Sequence, residues 1–300
     1  MFSINHIVES GNVHEHLDIF SSNKSSYAKI RLNLGASLQD LILSNYHIIK
    51  DMSPMTYENT YASSILFPFA NRIKDGRYQF NSETFQFDIN EKPLNNALHG
   101  LVYNKTFKVT KKIITENQAM VTLRYVEANK HPGFPYTYSI YLEYVLTESG
   151  LDLNVEIKNT DSTTFPFTVG WHPYFLSSDL YNSSLIFDAN KKIKLDNRNI
   201  TEDVVANEHV DAFKLNNQQL DDCYVLNSKD VLFITPSYNL ELKSSEPDSF
   251  LQLYIPPHKN TVAIEPTTGV SDSFNNGIGL KTLKPNETYN ISWKLKIKEN

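Results

Sequence analysis

The chain has a single cysteine, Cys223, among its 300 residues. One cysteine cannot form an internal disulfide, and it leaves a sulfur-rich metal site without its other thiolates. No stretch approaches the roughly 18 uninterrupted apolar residues of a membrane-spanning helix, and residues 1–20 lack the apolar run of a signal peptide. We therefore expect a protein of a reducing compartment, cytoplasmic and without a membrane partner.

Clustered positive charge is also missing. The formal net charge is −6, and the 28 lysines and arginines are dispersed along the chain. The series Lys294, Lys296 and Lys298 alternates with apolar residues, which is typical of the solvent face of a strand. Proteins that bind nucleic acid gather their basic residues into a patch or stripe. The sequence therefore predicts no nucleic-acid partner.

The loops that bind phosphates are absent as well. With only 10 glycines, the sequence contains neither standard glycine-rich phosphate loop nor the Gly-X-Ser-X-Gly turn of serine hydrolases. His14-Glu15-His16 would place two imidazoles on one face of a strand, but no spacing identifies a third or fourth metal ligand. We interpret that segment as a solvated strand edge, and we expect no metal and no nucleotide cofactor.

Alternation of apolar and polar residues is what the chain has in abundance. It runs through residues 136–146 and 151–157, on either side of the polar turn Glu148-Ser149-Gly150. This pattern predicts an antiparallel hairpin, with Gly150 available for a positive φ in the turn. Residues 107–125 repeat the pattern and predict a second hairpin.

Helical patterns and linkers are missing between these strands. No amphipathic helix of three turns stands out, and no glycine-, serine- or proline-rich stretch marks a boundary. Successive hairpins with few helices indicate an all-β fold, a large antiparallel β-sandwich. We expect residues 1–300 to form a single domain, with its functional groups on one concave sheet face or on the loops around it.

The stretch Gly170-Trp171-His172-Pro173-Tyr174-Phe175 places an imidazole among large aromatic side chains. Because a histidine gains or loses its proton near neutral pH, His172 is a candidate for proton transfer to a substrate. Taken alone, the stretch is better explained by a buried histidine whose ring is paired with a backbone carbonyl. The rest of the chain has to decide between the two interpretations.

Four other segments place polar groups among apolar ones: Asn71-Arg72, His99-Gly100, Asp221-Asp222 and Glu265-Pro266. The planar fork of Arg72 could hold hydroxyl oxygens of a ligand, or it could form an ordinary surface ion pair. Glu265 ends an apolar strand, where desolvation would raise its pKa towards that of a useful base. It could equally accept backbone hydrogen bonds at the strand end. Neighbouring residues of a strand point to opposite faces, so only one of the paired aspartates can face a given site.

The order of these segments resembles the aldose 1-epimerase (galactose mutarotase) family. The matching positions are Asn71-Arg72-Ile73 with Gly76, Leu98-His99-Gly100, Trp171-His172-Pro173-Tyr174-Phe175, Asp221 and Glu265-Pro266. The resemblance covers nearly the whole chain, and residues 283–287 are similar to the family's Leu-X-Pro-Gly-Glu turn before the last strand, with Asn286 in place of glycine. It implies a very large antiparallel β-sandwich with an open sugar-binding cleft, which agrees with the alternation.

The resemblance also implies roles for individual residues. Glu265 matches the family's catalytic base, and His172 matches its catalytic acid. The groups implied to hold the sugar are His99, Arg72, Asp221 and Asn71. Asp221 is preferred to Asp222 because its spacing to Tyr224 matches the family's Asp-X-X-aromatic pattern.

The implied reaction interconverts the α and β anomers of a free hexose such as galactose or glucose. It needs no metal or organic cofactor and only a small sugar as partner, and we expect the aromatic side chains beside His172 to form walls of the cleft. Leu101 follows Gly100 where the family has a second glycine, which leaves the preferred sugar open. The alternatives are a hexose-6-phosphate 1-epimerase and a non-catalytic sugar-binding protein of the same fold.

Overall fold

The computed structural model describes residues 1–8, 15–208, 211–216, 218–257 and 260–298. Strands dominate these ranges. In the first half of the chain they are β1 Ser3–Val8, β2 Glu15–Phe20, β3 Tyr27–Arg31, β4 Ser37–Leu43, β5 Tyr46–Ile49, β6 Ile65–Leu66, β7 Arg72–Lys74, β8 Arg77–Phe80, β9 Glu83–Gln86, β10 Asn96–Leu98, β11 Lys108–Ile114, β12 Ala119–Glu127, β13 Tyr138–Leu146 and β14 Gly150–Asn159.

The second half of the chain continues in the same way. Its strands are β15 Phe165–Phe167, β16 Gly170–Trp171, β17 Tyr174–Leu176, β18 Ser184–Ile186, β19 Lys191–Leu195, β20 Thr201–Ala206, β21 Phe213–Lys214, β22 Asp221–Val225, β23 Asp230–Ile234, β24 Asn239–Ser244, β25 Phe250–Tyr254, β26 Thr261–Thr267, β27 Lys281–Leu283 and β28 Thr288–Lys298. The helical segments within the described ranges are α1 Tyr57–Thr60, α2 Ser273–Asn276 and a 3₁₀ turn at Lys92–Leu94. None of these helices is long and apolar enough to cross a membrane.

Three sheets contain most of the strands. The nine-stranded sheet has the order β11-β12-β13-β14-β28-β24-β23-β18-β21. The eight-stranded sheet has the order β20-β19-β22-β25-β26-β16-β6, and β17 also pairs with β26. Strands β1 to β5 form the third sheet in chain order. The large sheets are antiparallel throughout, for example between β14 and β28 and between β25 and β26.

Both predicted hairpins are confirmed, but the first turn works differently from the prediction. Strand β13 pairs with β14, and β11 pairs with β12. Gly150 is the first residue of β14 and does not have a positive φ. A Cβ atom at this position would lie 2.7 Å from the carbonyl oxygen of Leu295 in β28. The glycine therefore permits a close approach between neighbouring strands, not a left-handed turn.

The two large sheets pack face to face as a β-sandwich. Trp171 of β16 stacks on Trp293 of β28 with ring centroids 6.1 Å apart, and Phe175 of β17 meets Phe233 of β23 at 6.5 Å. Full burial of one large apolar side chain contributes about 1.5–3 kcal/mol, so such contacts hold the layers together. Because side chains alternate along a strand, His172 and Tyr174 point to the other face of the eight-stranded sheet.

Two predictions about single segments have different outcomes. The lysines of β28 are exposed while Trp293 and Leu295 are buried, which confirms the alternation predicted there. The solvated edge predicted for His14-Glu15-His16 is wrong for His16, which is only 3% exposed. Strand β2 pairs with β1 on one side and β3 on the other, so His16 lies inside a sheet. His14 lies outside the described residues.

Candidate active site

His172 and Glu265 stand opposite each other on the outer face of the eight-stranded sheet. Strands β16 and β17 pair with β26 in one continuous register on both sides of His172, which puts His172 directly across from Glu265. Nε2 of His172 lies 3.4 Å from Oε1 of Glu265. The two residues are 4% and 3% exposed. The backbone of His172 forms its hydrogen bonds on the side away from Glu265. Its carbonyl accepts from the N–H of Ser63, and its N–H donates to the carbonyl of Ser64.

Strand β26 continues past Glu265, contrary to the prediction that the strand ends there. It runs through Pro266 to Thr267. The N–H groups of Ile264 and Thr268 donate to the carbonyls of residues 173 and 169. Pro266 falls between these two donors and has no N–H to give, so one bond between β26 and β16 is missing beside Glu265. All seven residues of the strand are buried, and Glu265 is therefore enclosed on both sides.

The same face carries a row of polar side chains across neighbouring strands. Glu265 pairs in register with Gln252 of β25, and Gln252 pairs with Cys223 of β22. Two residues before Cys223 in β22, Asp221 pairs with Tyr254 of β25. Cross-strand partners point to the same face, so Asp221 lies on the face of Glu265. Asp222 points to the other face.

The ionisation of the pair is governed by burial. Burial raises the pKa of Glu265 well above its usual range; the nearby Asp221 raises it further, and Arg72 opposes the shift. Burial lowers the pKa of His172 to about 3, and Arg72 lowers it as well. Both shifts disfavour the charged form of the side chain. A single proton between Oε1 and Nε2 therefore converts a neutral pair into an ion pair when it moves from the carboxyl to the imidazole.

His99 lies against His172. Their rings meet edge to face with centroids 5.1 Å apart, and burial, followed by His172 and Arg72, lowers the pKa of His99 well below its usual range. The backbone N–H of His99 donates to the carbonyl of Asn71 at 2.9 Å. Gly100 adopts φ +74°, and a Cβ there would lie 2.2 Å from the carbonyl oxygen of Phe67. The glycine is thus required for the close approach of these two backbone segments.

Arg72 is an ion-paired residue, and its partner is inside the site. Its Nε donates to both carboxylate oxygens of Glu91 at 3.1 and 3.0 Å, and its Nη2 donates to Oε1 at 3.0 Å. Nη1 donates to Oδ1 of Asn71 at 3.0 Å. Nη2 also lies 3.9 Å from Oδ2 of Asp221. A bidentate, partly buried pair of this kind fixes the plane of the guanidinium group.

A hydrogen-bond chain joins the remaining candidates. Nδ2 of Asn71 donates to Oε1 of Gln252 at 3.2 Å, and Nε2 of Gln252 donates to Oδ1 of Asp221 at 2.7 Å. Nδ2 of Asn199 donates to Oδ2 of Asp221 at 3.1 Å. Burial nevertheless raises the pKa of Asp221, while Arg72 lowers it. Within the part of the protein that the structure describes, these hydrogen bonds hold four polar side chains through side-chain partners and not through backbone groups.

These groups surround a cleft of about 200 Å³, and all six residues singled out from the sequence line it: Asn71, Arg72, His99, His172, Asp221 and Glu265. The prediction that the aromatics beside His172 wall the cleft is only partly right. Tyr174 lines it and stacks on His172 with centroids 5.0 Å apart. Trp171 and Phe175 point into the sandwich, because alternate residues of β16 and β17 face opposite ways.

The sequence patterns do not point to four further residues of the cleft and its hydrogen-bond network: Glu91, Asn199, Gln252 and Tyr254. Gln252 does carry a signal, because it is a polar residue between Leu251 and Leu253 in a strand whose other face is apolar. Glu91 carries none. It lies 19 residues from Arg72 in a segment with little regular structure.

Comparison with known proteins identifies the family and the fold of the chain. The profile of the family described as Aldose 1-epimerase matches residues 21–296. The uncharacterized protein YihR of Escherichia coli (strain K12) is 23% identical over 300 residues, covering 95% of this chain and 94% of that protein. Among solved structures, a galactose mutarotase-like protein from Clostridium acetobutylicum has a TM-score of 0.89 at 23% identity, covering 100% of this chain and 99% of that one. Galactose 1-epimerase from Lactobacillus acidophilus NCFM has a TM-score of 0.83 at 16% identity, covering 100% and 99%. With its fold, its cleft and a family match over nearly its whole length, the chain belongs to the aldose 1-epimerase family.

Proposed function

We propose that this protein is a mutarotase that interconverts the α and β anomers of a free hexose such as galactose or glucose, and that residues 1–300 act as one domain. The observation that carries the proposal is the buried pair of Glu265 and His172, with 3.4 Å between Oε1 and Nε2 at the floor of the cleft. An acid and a base in one enclosed place serve a proton-transfer reaction, whereas sugar binding alone does not require them.

Each half of the reaction transfers two protons and breaks or forms one bond. The Glu265 carboxylate takes the proton from the O1 hydroxyl while the His172 imidazolium gives its proton to the ring oxygen O5. The electron pair of the C1–O5 bond stays on O5, and C1 becomes the carbon of an aldehyde. The open chain then turns about its C1–C2 bond. Reclosure with the two proton transfers reversed produces the other anomer and restores the enzyme.

The environment of the pair supports this exchange of roles. The ring-opening step starts from the ion pair and ends with a protonated Glu265 and a neutral His172. Desolvation raises the pKa of Glu265 and lowers that of His172, so burial favours the neutral state that ring opening produces. Relative to the same groups in water, burial thus shifts the balance from the ion pair towards the neutral pair, and ring closure starts from that neutral pair.

The other cleft residues hold the sugar in this proposal. Arg72 and Asn71 present N–H donors, Asp221 presents acceptor oxygens, and the neutral ring of His99 offers one donor and one acceptor. Hydroxyl groups both donate and accept, so a mixed set of this kind suits a polyol. The ring of Tyr174, stacked on His172, keeps the imidazole in place.

The test is the anomerisation of freshly dissolved α-galactose and α-glucose, followed by polarimetry. We expect the wild-type protein to exceed the spontaneous rate and His172→Asn to lose about 10²- to 10⁴-fold. Equal rates for the two proteins would remove His172 from the mechanism. Calorimetric binding of both sugars by a wild-type protein that gives no rate enhancement would favour the non-catalytic sugar-binding protein instead.

A further inference from the structure

The guanidinium group of Arg72 is already occupied by a carboxylate of the same chain. Its Nε–Nη2 edge, the edge that could grip a planar anion, faces both oxygens of Glu91 at 3.0 to 3.1 Å. Side-chain exposure is 12% for Arg72 and 15% for Glu91. One N–H of Nη1 donates to Oδ1 of Asn71. One N–H on each terminal nitrogen remains, and these two groups can donate to hydroxyl oxygens of a ligand.

Glu91 is itself held in place. Nδ2 of Asn96 donates to Oε2 of Glu91 at 2.8 Å. The backbones of the same two residues exchange hydrogen bonds at 3.1 and 3.2 Å. Asn96 in turn accepts from Nη2 of Arg198 at 3.1 Å. A carboxylate anchored through both its side chain and its backbone keeps the arginine in one orientation.

The charged groups of the cleft do not give it a net positive charge. Among the described residues that line it, Arg72 is the only lysine or arginine. Glu91 neutralises that charge, and Asp221 adds a second carboxyl 3.9 Å from Nη2. Burial disfavours the charged form of the His99 and His172 imidazoles, because it lowers both pKa values. A phosphate or carboxylate on the sugar would thus leave water without gaining a cation in return.

We propose that Glu91 is the specificity-determining residue of this cleft: it orients Arg72 for hydroxyl groups and cancels its charge, so that sugars bearing a phosphate, carboxylate or sulfonate are rejected. The inference rests on the proposed function, because it concerns the substrate of the same site. Glu91 accepts hydrogen bonds from Nε and Nη2 of Arg72, and it touches neither His172 nor Glu265 in the described contacts. It is therefore a positioning residue, not a member of the proton-transfer pair.

The first test replaces the carboxylate by an uncharged group of equal size, Glu91→Gln. Inorganic phosphate and glucose 6-phosphate are titrated calorimetrically into wild type and variant. Removal of one negative charge beside Arg72 should tighten the binding of both anions by at least about 10-fold. The matched control is Glu156→Gln, which removes the same charge from the outer face of the nine-stranded sheet. The control should bind anions as weakly as the wild type.

A second variant separates charge from orientation. Glu91→Asp keeps the negative charge but is too short to reach both Nε and Nη2, so we expect a raised KM for the neutral sugar and no gain in anion binding. Glu91→Gln should raise KM and gain anion binding together. Anion binding by the wild type as tight as by Glu91→Gln, or by Glu91→Asp as tight as by Glu91→Gln, would overturn the proposal.

The binding experiment does not depend on catalysis. If the wild-type protein accelerates no anomerisation while Glu91→Gln gains anion binding, the proposed reaction fails and the charge cancellation stands. If anomerisation is confirmed and anion binding does not change, the inference about Glu91 fails alone. Circular dichroism and the thermal midpoint of each variant verify that the compared proteins are folded.

Discussion

The two faces of the eight-stranded sheet are built from the same strands and are almost equally buried, yet they carry different side chains. In β25, Leu251 and Leu253 point into the sandwich, and between them Gln252 points into the cleft. In β26, Ile264 packs into the main core, and Glu265 faces His172. Alternation of single residues therefore separates the packing face from the polar face.

The difference has a thermodynamic meaning. Apolar side chains on the inner face stabilise the fold in proportion to the area they bury. On the cleft face, each buried polar group costs about 1–3 kcal/mol unless it finds a partner, and the chain from Asn71 through Gln252 to Asp221 supplies such partners. Among the described residues, Glu265 and His172 have only each other as polar side-chain partners. We expect substitutions on the inner face to reduce stability and those at the pair to reduce activity.

The largest effect should come from Glu265→Gln. Loss of the proposed base should lower the anomerisation rate about 10²- to 10⁴-fold, while the unfolding free energy stays level or rises. The raised pKa means that the stability from burying Glu265 is present at low pH and is lost as the pH rises above the usual glutamate value. The gain of the variant over wild type, measured by urea unfolding, should therefore grow as the pH rises above the usual glutamate value. A variant less stable than wild type at high pH would contradict this.

The inner face should show the opposite behaviour. Leu253 lies between the cleft residues Gln252 and Tyr254 but is fully buried in the sandwich core. Leu253→Ala should lower the unfolding free energy by about 2–5 kcal/mol. The kcat of the protein that remains folded should stay within about threefold of wild type, because no proton-transfer group moves. A large loss of kcat with little loss of stability would erase the distinction between the faces.

A third prediction concerns acid. The pKa of His172 is lowered from 6.5 to about 3, so the unfolded chain binds its proton before the folded chain does. The stability associated with neutral His172 is present above pH 6.5 and is lost as the pH falls towards 3. The variant His172→Asn should not show this loss. Its unfolding free energy relative to wild type should therefore rise by about 2–4 kcal/mol as the pH falls from 7 to 4. Parallel stability curves for the two proteins would contradict the shift.

The sequence predicts the sheets better than it predicts the directions of individual side chains near the cleft. Alternation revealed the hairpins because one face of each strand is apolar over many residues. It could not show that Trp171 and Phe175 turn inwards, since an aromatic residue is acceptable on either face. Nor could it show that β26 continues through Pro266. The strand can include this proline because β26 and β16 form no hydrogen bond at that position. These details depend on register between strands that are far apart in the chain.

The same limit explains which residues of the site were found. Glu265 and His172 are unusual in their own sequence neighbourhoods, so local pattern and resemblance select them. Glu91 is an ordinary glutamate until the loop that carries it meets Arg72. Asn286 shows the reverse case: its φ of +63° is that of a glycine turn, as the resemblance to the family's Pro-Gly-Glu turn implies. Long-range pairing, in contrast, has no local signature.

The smallest predicted effect tests whether every residue of the cleft face belongs to the chemistry. Tyr174 stacks on His172, but its hydroxyl donates to the carbonyl of Thr60 at 3.2 Å, at the end of α1. Tyr174→Phe keeps the ring and removes only this bond. We expect the unfolding free energy to fall by about 0.5–1.5 kcal/mol and kcat to stay within about twofold of wild type. Tyr254→Phe in β25, on the other side of β26, is the control. A fall in kcat by tenfold or more would mean that the Tyr174 hydroxyl takes part in the reaction, and the cleft face would then contain a third proton-transfer group beside Glu265 and His172.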